Sequence, residues 1–153
     1  MKGNAVNNPE STYLTTQLKR ICFICKSALV DDAIYCHRCG TKQPPPKLIL
    51  RSEEQVFELQ DASKVWIVGR TIPATGHIVD VDLGEAGGKL GVSRRHAELA
   101  FDEQNYQWTL RDASSQYGTF VDDQQVQPEV FIPLQAGQRV RFGGIEFSIE
   151  LQY

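Results

Sequence analysis

From Lys47 to Tyr153 the apolar positions recur with a period of two. Leu48 and Leu50 alternate with charged or exposed neighbours, and Ala97, Leu99 and Phe101 alternate with Glu98 and Ala100. Tyr106, Trp108 and Leu110 alternate with Gln107 and Thr109, while Ile145, Phe147, Ile149 and Leu151 alternate with Glu146, Ser148 and Glu150. Successive side chains of a strand point to opposite faces, so these runs predict strands buried on one side. Turn residues separate the runs and no long 3.6-period stretch interrupts them. The pattern predicts an all-β sandwich over 47–153, long enough to bury its own core.

The first 46 residues break this pattern. Residues 1–17 are polar, with neither helical nor alternating periodicity, and predict a disordered arm. All four cysteines lie between Cys22 and Cys39, and the consecutive prolines Pro44 to Pro46 predict a stiff, extended linker. The expected organisation is therefore an arm (1–17), a small cysteine unit (18–43), a Pro-rich linker (44–46) and the β-domain (47–153).

Charge sharpens the division. The chain carries 16 basic and 19 acidic side chains, a net charge of −3. Residues 1–46 hold 6 basic and 3 acidic groups, net +3, and residues 47–153 hold 10 and 16, net −6. The overall charge gives no reason to expect general nucleic-acid binding. No apolar run reaches the ~18 residues of a membrane span. Asn4, Asn7, Asn8 and Glu10 interrupt any signal-peptide core. The expectation is a cytoplasmic protein without a membrane partner.

Cys22-Phe-Ile-Cys25 and Cys36-His-Arg-Cys39 form two Cys-x-x-Cys pairs separated by ten residues. Four thiolates on two tight turns suit tetrahedral Zn²⁺ with Zn–S bonds of roughly 2.3 Å. A unit this small cannot bury a sufficient core, so a structural Zn²⁺ would supply its folding free energy. The segment resembles a small bacterial zinc ribbon. A disulfide pairing conflicts with a reducing cytoplasm. A redox pair lacks a βαβ context, and haem attachment needs His in the places of Lys26 and Gly40. His37, between two ligands, is expected to stay uncoordinated.

Three loop elements of the β-domain carry candidate chemistry: Trp66-Ile-Val-Gly69-Arg70, Val92-Ser93-Arg94-Arg95-His96 and Asp112-Ala-Ser-Ser115-Gln116-Tyr117-Gly118-Thr119-Phe120-Val121. Their Gly-Arg, Ser-Arg-x-His and Gly-Thr-Phe elements stand in the order found in forkhead-associated (FHA) domains. The closing Leu134 to Gly143 segment and its following strand also resemble that family, over roughly 47–153. The resemblance implies a β-sandwich of about eleven strands that reads phosphothreonine peptides. It assigns Arg70 and Ser93 to the phosphate, Arg94 to a neighbouring contact, and His96, Gly69, Gly118 and Thr119 to support of the loops. The family often has Thr then Asn before this Gly-Thr, where Gln116 and Tyr117 stand here. Both remain phosphopeptide-binding candidates: Gln116 could donate to phosphate, less compactly than a hydroxyl, whereas Tyr117 cannot reproduce the donor and acceptor geometry of an amide against a peptide backbone.

The chemistry agrees with that reading. A phosphothreonine carries about 1.5–2 negative charges and three strong acceptors, and calls for a guanidinium fork with hydroxyl donors. The expected partners are threonine-phosphorylated proteins downstream of a Ser/Thr kinase. Thr12, Thr15 and Thr16 on the arm are candidate phosphosites for self-regulation, as in some bacterial FHA proteins that bind their own phosphorylated tail. No catalytic constellation emerges. Gly84 to Leu90 misses the P-loop spacing by one residue and places Leu90 where Ser or Thr is required, and Ser93 with His96 lacks a nucleophile elbow. The expected class is a non-catalytic adaptor. The alternative is a nucleic-acid-associated or structural zinc-ribbon protein with a degenerate FHA fold. There, Lys19, Arg20, Lys26, Arg38 and Lys42 would meet phosphate backbone, although Phe23 and Tyr35 offer little stacking.

Overall fold

The alternating runs form strands in two packed sheets. A computed structural model of the chain describes residues 20–30 and 33–153, apart from the side chain of Glu85. The expected arm, with Thr12, Thr15 and Thr16, lies outside the described residues. The chain divides into a unit before Pro45 and a unit spanning Pro45–Gln152.

In the first unit, β1 (Arg20–Ile21) pairs antiparallel with β2 (Ala28–Leu29). In the second, among the described residues, eleven strands make two sheets. One sheet contains β3 (Lys47–Arg51), β4 (Val56–Leu59), β9 (Thr119–Val121), β10 (Gln124–Gln125), β12 (Arg139–Phe142) and β13 (Ile145–Gln152), in the order β10-β9-β12-β13-β3-β4. The other contains β5 (Trp66–Gly69), β6 (Val81–Asp82), β7 (Arg95–Asp102), β8 (Gln107–Asp112) and β11 (Ile132–Pro133), in the order β11-β8-β7-β5-β6. The unit is thus an all-β sandwich.

The inward positions are those of the two-residue period. Leu48, Leu50, Leu99, Trp108, Leu110, Phe142, Phe147 and Ile149 are all buried in one core. Phe101 meets Trp108 edge to face at 5.6 Å between ring centroids, one of the preferred aromatic geometries. The Trp108 indole N–H, which must find an acceptor once buried, donates to the carbonyl of Pro46 at 2.9 Å. That bond and the burial of Pro46 hold the last residue of the proline run against the sandwich.

Three outward positions, Ile49, Glu98 and Thr109, depart from simple alternation, and the Thr109 hydroxyl donates to the Ala100 carbonyl at 2.7 Å. Ile49 is buried although it faces away from Leu48 and Leu50. Its cross-strand neighbours are Glu58 and Glu150, which pair with Lys47 at 2.9 Å and Arg51 at 2.6 Å, and the aliphatic stems of such pairs shelter an apolar side chain. Glu98 is also buried, between the guanidinium groups of Arg95 and Arg111. Burial pushes its carboxyl up, but the two arginines outweigh that and hold it below the usual carboxylate range.

The glycine-rich stretch between Arg70 and Ser93, which reads as a long loop in sequence, is built of short elements. A 3-10 turn (Pro73–Thr75) leads to β6, which runs parallel to β5, and then to a one-and-a-half-turn helix, α1 (Gly84–Lys89). Val79, Val81 and Leu83 fix it to the core by the same period of two.

Candidate functional site

The loops at one end of the sandwich are assembled by close backbone approaches that only glycine permits. β5 and β7 pair out of step at Val68 and Gly69, so Gly69 stands opposite Arg95 rather than His96. The carbonyl oxygen of Arg94 then presses on Gly69 and accepts the Arg70 backbone N–H at 3.0 Å. The Arg70 side chain folds across the gap, and its Nε–H donates to the Val92 carbonyl at 2.7 Å. Its guanidinium lies over Gly88 of α1, where a Cβ would stand 3.0 Å from one terminal nitrogen. One edge of the fork is therefore anchored and the other two nitrogens remain available.

His96 joins this loop to the next. It is wholly buried; its Nδ1 accepts the Ser93 N–H at 3.0 Å, and its Nε2–H donates to the Gly118 carbonyl at 2.9 Å. This pair of partners fixes a neutral tautomer. Burial lowers the His96 pKa, outweighing the Gly118 carbonyl and the charge of Asp112, which favour protonation. The Gln116 N–H donates to Ser93 Oγ at 3.1 Å, which leaves the Ser93 hydroxyl proton to be donated elsewhere.

The turn carrying Gln116 and Tyr117 hangs from Asp112, a residue to which the sequence reading gave no role. The buried Asp112 Oδ1 accepts both the Ser115 and the Thr119 hydroxyls at 2.6 Å, its Oδ2 accepts the Ser115 N–H at 3.1 Å, and Ser115 Oγ accepts the Gly118 N–H at 3.0 Å. An acidic residue followed by hydroxyls three and seven positions later was the available signal. Thr119 and Gly118 thus shape the turn from within, and Gln116 and Tyr117 project from it, Tyr117 with 61% of its surface exposed.

Charge isolates the site from the rest of the acidic domain. Lys47, Arg51, Lys64, Arg95, Arg111 and Arg139 are each paired with a carboxylate. Among the described residues of the sandwich, Arg70, Lys89, Arg94 and Arg141 are not. Arg95, adjacent to Arg94 in sequence, is committed to Glu98 and so is removed from the site. A cleft of about 450 Å³ adjoins the loops, with Lys89, Tyr117, Phe120 and Arg141 in its wall. Fixed donors without a competing carboxylate make a place for a multiply charged anion.

The cysteines of the first unit form a separate cluster. Their four sulfurs lie within 4.8 Å of one another, with Cys22 to Cys39 and Cys25 to Cys36 both at 3.6 Å. A tetrahedron of Zn–S bonds has sulfur–sulfur edges of about 3.8 Å, so the set fits zinc with little movement. The two knuckles are built alike. Lys26 N–H donates to Cys22 O at 3.0 Å and Gly40 N–H to Cys36 O at 2.8 Å; Cys25 and Cys39 Sγ each lie 3.2 Å from a hydroxyl, of Ser27 and Thr41. Ile24 N–H and Arg38 N–H point at the leading sulfur of their knuckles at 3.4 Å. Burial pushes the Cys22 thiol up, but the amides of Cys25 and Ile24 and the Gln43 carboxamide overcome this and lower it to about 6. Donors of this kind favour the thiolate, which is the metal-binding form.

A family model, the FHA domain, matches residues 66–143. Among solved structures, a domain from a structural and functional analysis of phosphothreonine-dependent FHA domain interactions is 26% identical. It covers 72% of this chain and 99% of its own, with a TM-score of 0.54. FHA-1 of Rv1747 from Mycobacterium tuberculosis is 25% identical over 72% of this chain and 100% of its own, with a TM-score of 0.56. The FhaA FHA domain, solved in complex with the intracellular domain of Rv3910, is 27% identical over 69% and 99%, with a TM-score of 0.51. Among curated proteins, none matches the chain.

Proposed function

The chain belongs to the FHA-domain family, and on that footing we propose that it is a non-catalytic adaptor that reads phosphothreonine in proteins modified by a Ser/Thr kinase. Arg70 and Ser93 take the phosphate, Arg94 the neighbouring contact, and Gln116 and Tyr117 the peptide beyond it. Gly69, His96, Gly118 and Thr119 hold these groups in place. Cys22, Cys25, Cys36 and Cys39 hold a structural Zn²⁺, which supplies the folding free energy that so small a unit lacks. A solved relative is described by phosphothreonine-dependent interactions, and this supports the ligand class.

The observation that carries the reading is the state of Arg70. Its Nε is tied to Val92 O at 2.7 Å, its guanidinium lies over Gly88, and among the described residues its terminal nitrogens have no carboxylate partner. Truncating such a charged partner costs roughly 2–5 kcal/mol, or about 30- to several-thousand-fold in affinity. Fluorescence anisotropy with matched threonine and phosphothreonine peptides tests it. Arg70→Ala is expected to abolish the preference, and equal binding by parent and variant would overturn the assignment.

The same site would accept the chain's own arm phosphorylated at Thr12, Thr15 or Thr16. Tethering would place such a segment at an effective concentration of about mM. Phosphorylation of the arm should then compete with an added phosphopeptide.

A further inference from the structure

The four cations of the sandwich without carboxylate partners among the described residues are not all accounted for by one phosphate. Arg70 and Arg94 belong to the loops already described. Lys89 and Arg141, far apart in sequence, stand in the wall of the adjoining cleft with the exposed ring of Tyr117 and the half-buried ring of Phe120.

Backbone contacts bring them together. The Gly144 N–H donates to the Leu90 carbonyl at 2.7 Å, and the Gly143 N–H donates to the Gly118 carbonyl at 3.0 Å. A Cβ on Gly143 would lie 2.6 Å from the Gly91 carbonyl oxygen, and one on Gly91 would lie 3.0 Å from the Tyr117 ring. The segment after β12 is thereby clamped between the end of α1 and the Tyr117 turn.

Arg141 is also prearranged. One terminal nitrogen donates to Gly143 O at 2.8 Å, and the guanidinium carbon lies over Phe120, 4.0 Å from the ring centroid. Its ladder neighbour is Glu146, but that carboxylate turns toward Arg139, at 3.9 Å. The remaining Arg141 donors and the Lys89 ammonium are left to a ligand. An apolar ligand residue would fit poorly against two unneutralised cations, whereas an anionic one would complete them.

We propose that this cleft is a second anion subsite, in which Lys89 and Arg141 select peptides carrying an anionic side chain near the phosphothreonine. The proposal rests on the phosphothreonine reading above. The shared chemistry is that of a carboxylate or a second phosphate, and the two differ in charge. The Tyr117 ring lines this cleft, so its departure from the amide common in the family becomes part of the selectivity.

The test is an anisotropy titration of the full chain with one phosphothreonine peptide, in which each flanking position in turn is Glu, Gln, Lys or phosphoserine. At one position Glu is expected to bind about three- to tenfold tighter than Gln, with Lys weaker than both, as suits partly exposed charges. A further gain with phosphoserine identifies doubly phosphorylated segments as the ligand; equality with Glu identifies acidic ones. Lys89→Ala combined with Arg141→Gln should bring the Glu-to-Gln ratio close to one, with the melting temperature showing that the domain stays folded. Lys89→Ala alone, on the surface of α1, should lower the ratio without touching the Phe120 stack. Arg70-dependent binding that is the same for Glu, Gln and Lys at every position would overturn the subsite alone. Failure to bind any phosphothreonine peptide would overturn the subsite and the reading beneath it.

Discussion

The carbonyl oxygen of Arg94 occupies the space that a side chain on Gly69 would need, only 2.0 Å from where its Cβ would stand. The same oxygen receives the Arg70 N–H, so this one approach sets the spacing between the Arg70 and Ser93 loops. Gly69→Ala must push those loops apart. We expect a loss of about 1–3 kcal/mol in stability, as for overpacking in other tight sites, and at least about tenfold in phosphopeptide affinity. Urea denaturation and peptide titration of the same sample measure both.

Arg70→Lys separates charge from geometry. Lysine keeps the positive charge but cannot donate to Val92 O and present a planar fork at the same time. Affinity should fall by about tenfold or more while the fold is kept. Binding within twofold of the parent would mean that charge alone suffices.

Asp112→Asn probes the turn from beneath. The carboxylate accepts three hydrogen bonds, and an amide NH₂ in place of Oδ2 would face the Ser115 N–H, donor against donor. Leaving a buried group unsatisfied costs about 1–3 kcal/mol. The variant should melt lower, and peptide binding should weaken although Asp112 touches no ligand.

His96 links stability to pH. Its pKa is lower in the folded protein than in the unfolded chain, so the unfolded chain takes up the proton first as pH falls below about 6.5. Stability present above that pH is lost as pH drops toward the folded value. The stability contributed by the carboxylates held low by their partners, Glu98 and Asp80, is lost only as pH falls below about 4.5. Denaturation at pH ~7 and ~5 should show a decline that His96→Asn removes, at a lower overall stability.

Metal removal should act on the first unit. Native mass spectrometry is expected to find one zinc per chain, and Cys25→Ser should abolish it. Chelation should expose four reactive thiols and leave the melting of the β-sandwich in place, since the sandwich has its own core.

Much of this was readable in the sequence, because the signals were local. The period of two placed Leu48, Leu99, Trp108 and Phe147 on inner faces, and the Gly-Arg, Ser-Arg-x-His and Gly-Thr-Phe elements marked the loops. The cysteine spacing likewise pointed to a cluster. What escaped depends on groups far apart in the chain. Lys89 and Arg141 share a cleft only because Gly143 and Gly91 allow two backbones to touch. Helix α1 was hidden by its glycines, which are poor helix formers, yet Gly87 is there because a side chain would press on Leu83 and Val92. Glu98 looked like an ordinary outward polar residue; its burial depends on Arg111 from the neighbouring strand.

The bridge made by His96 bears on how fast and at what entropic cost a partner is recognised. By tying Ser93 to Gly118 through one fixed ring, it turns two loops into a single rigid body. Loops that move separately must be ordered when a ligand arrives, at about 0.5–1.5 kcal/mol for each immobilised side chain. Here that ordering is completed when the domain folds. Docking then needs no rearrangement, so its rate should fall in the ordinary range of about 10⁵–10⁷ M⁻¹s⁻¹. Partners will differ mainly in how long they stay.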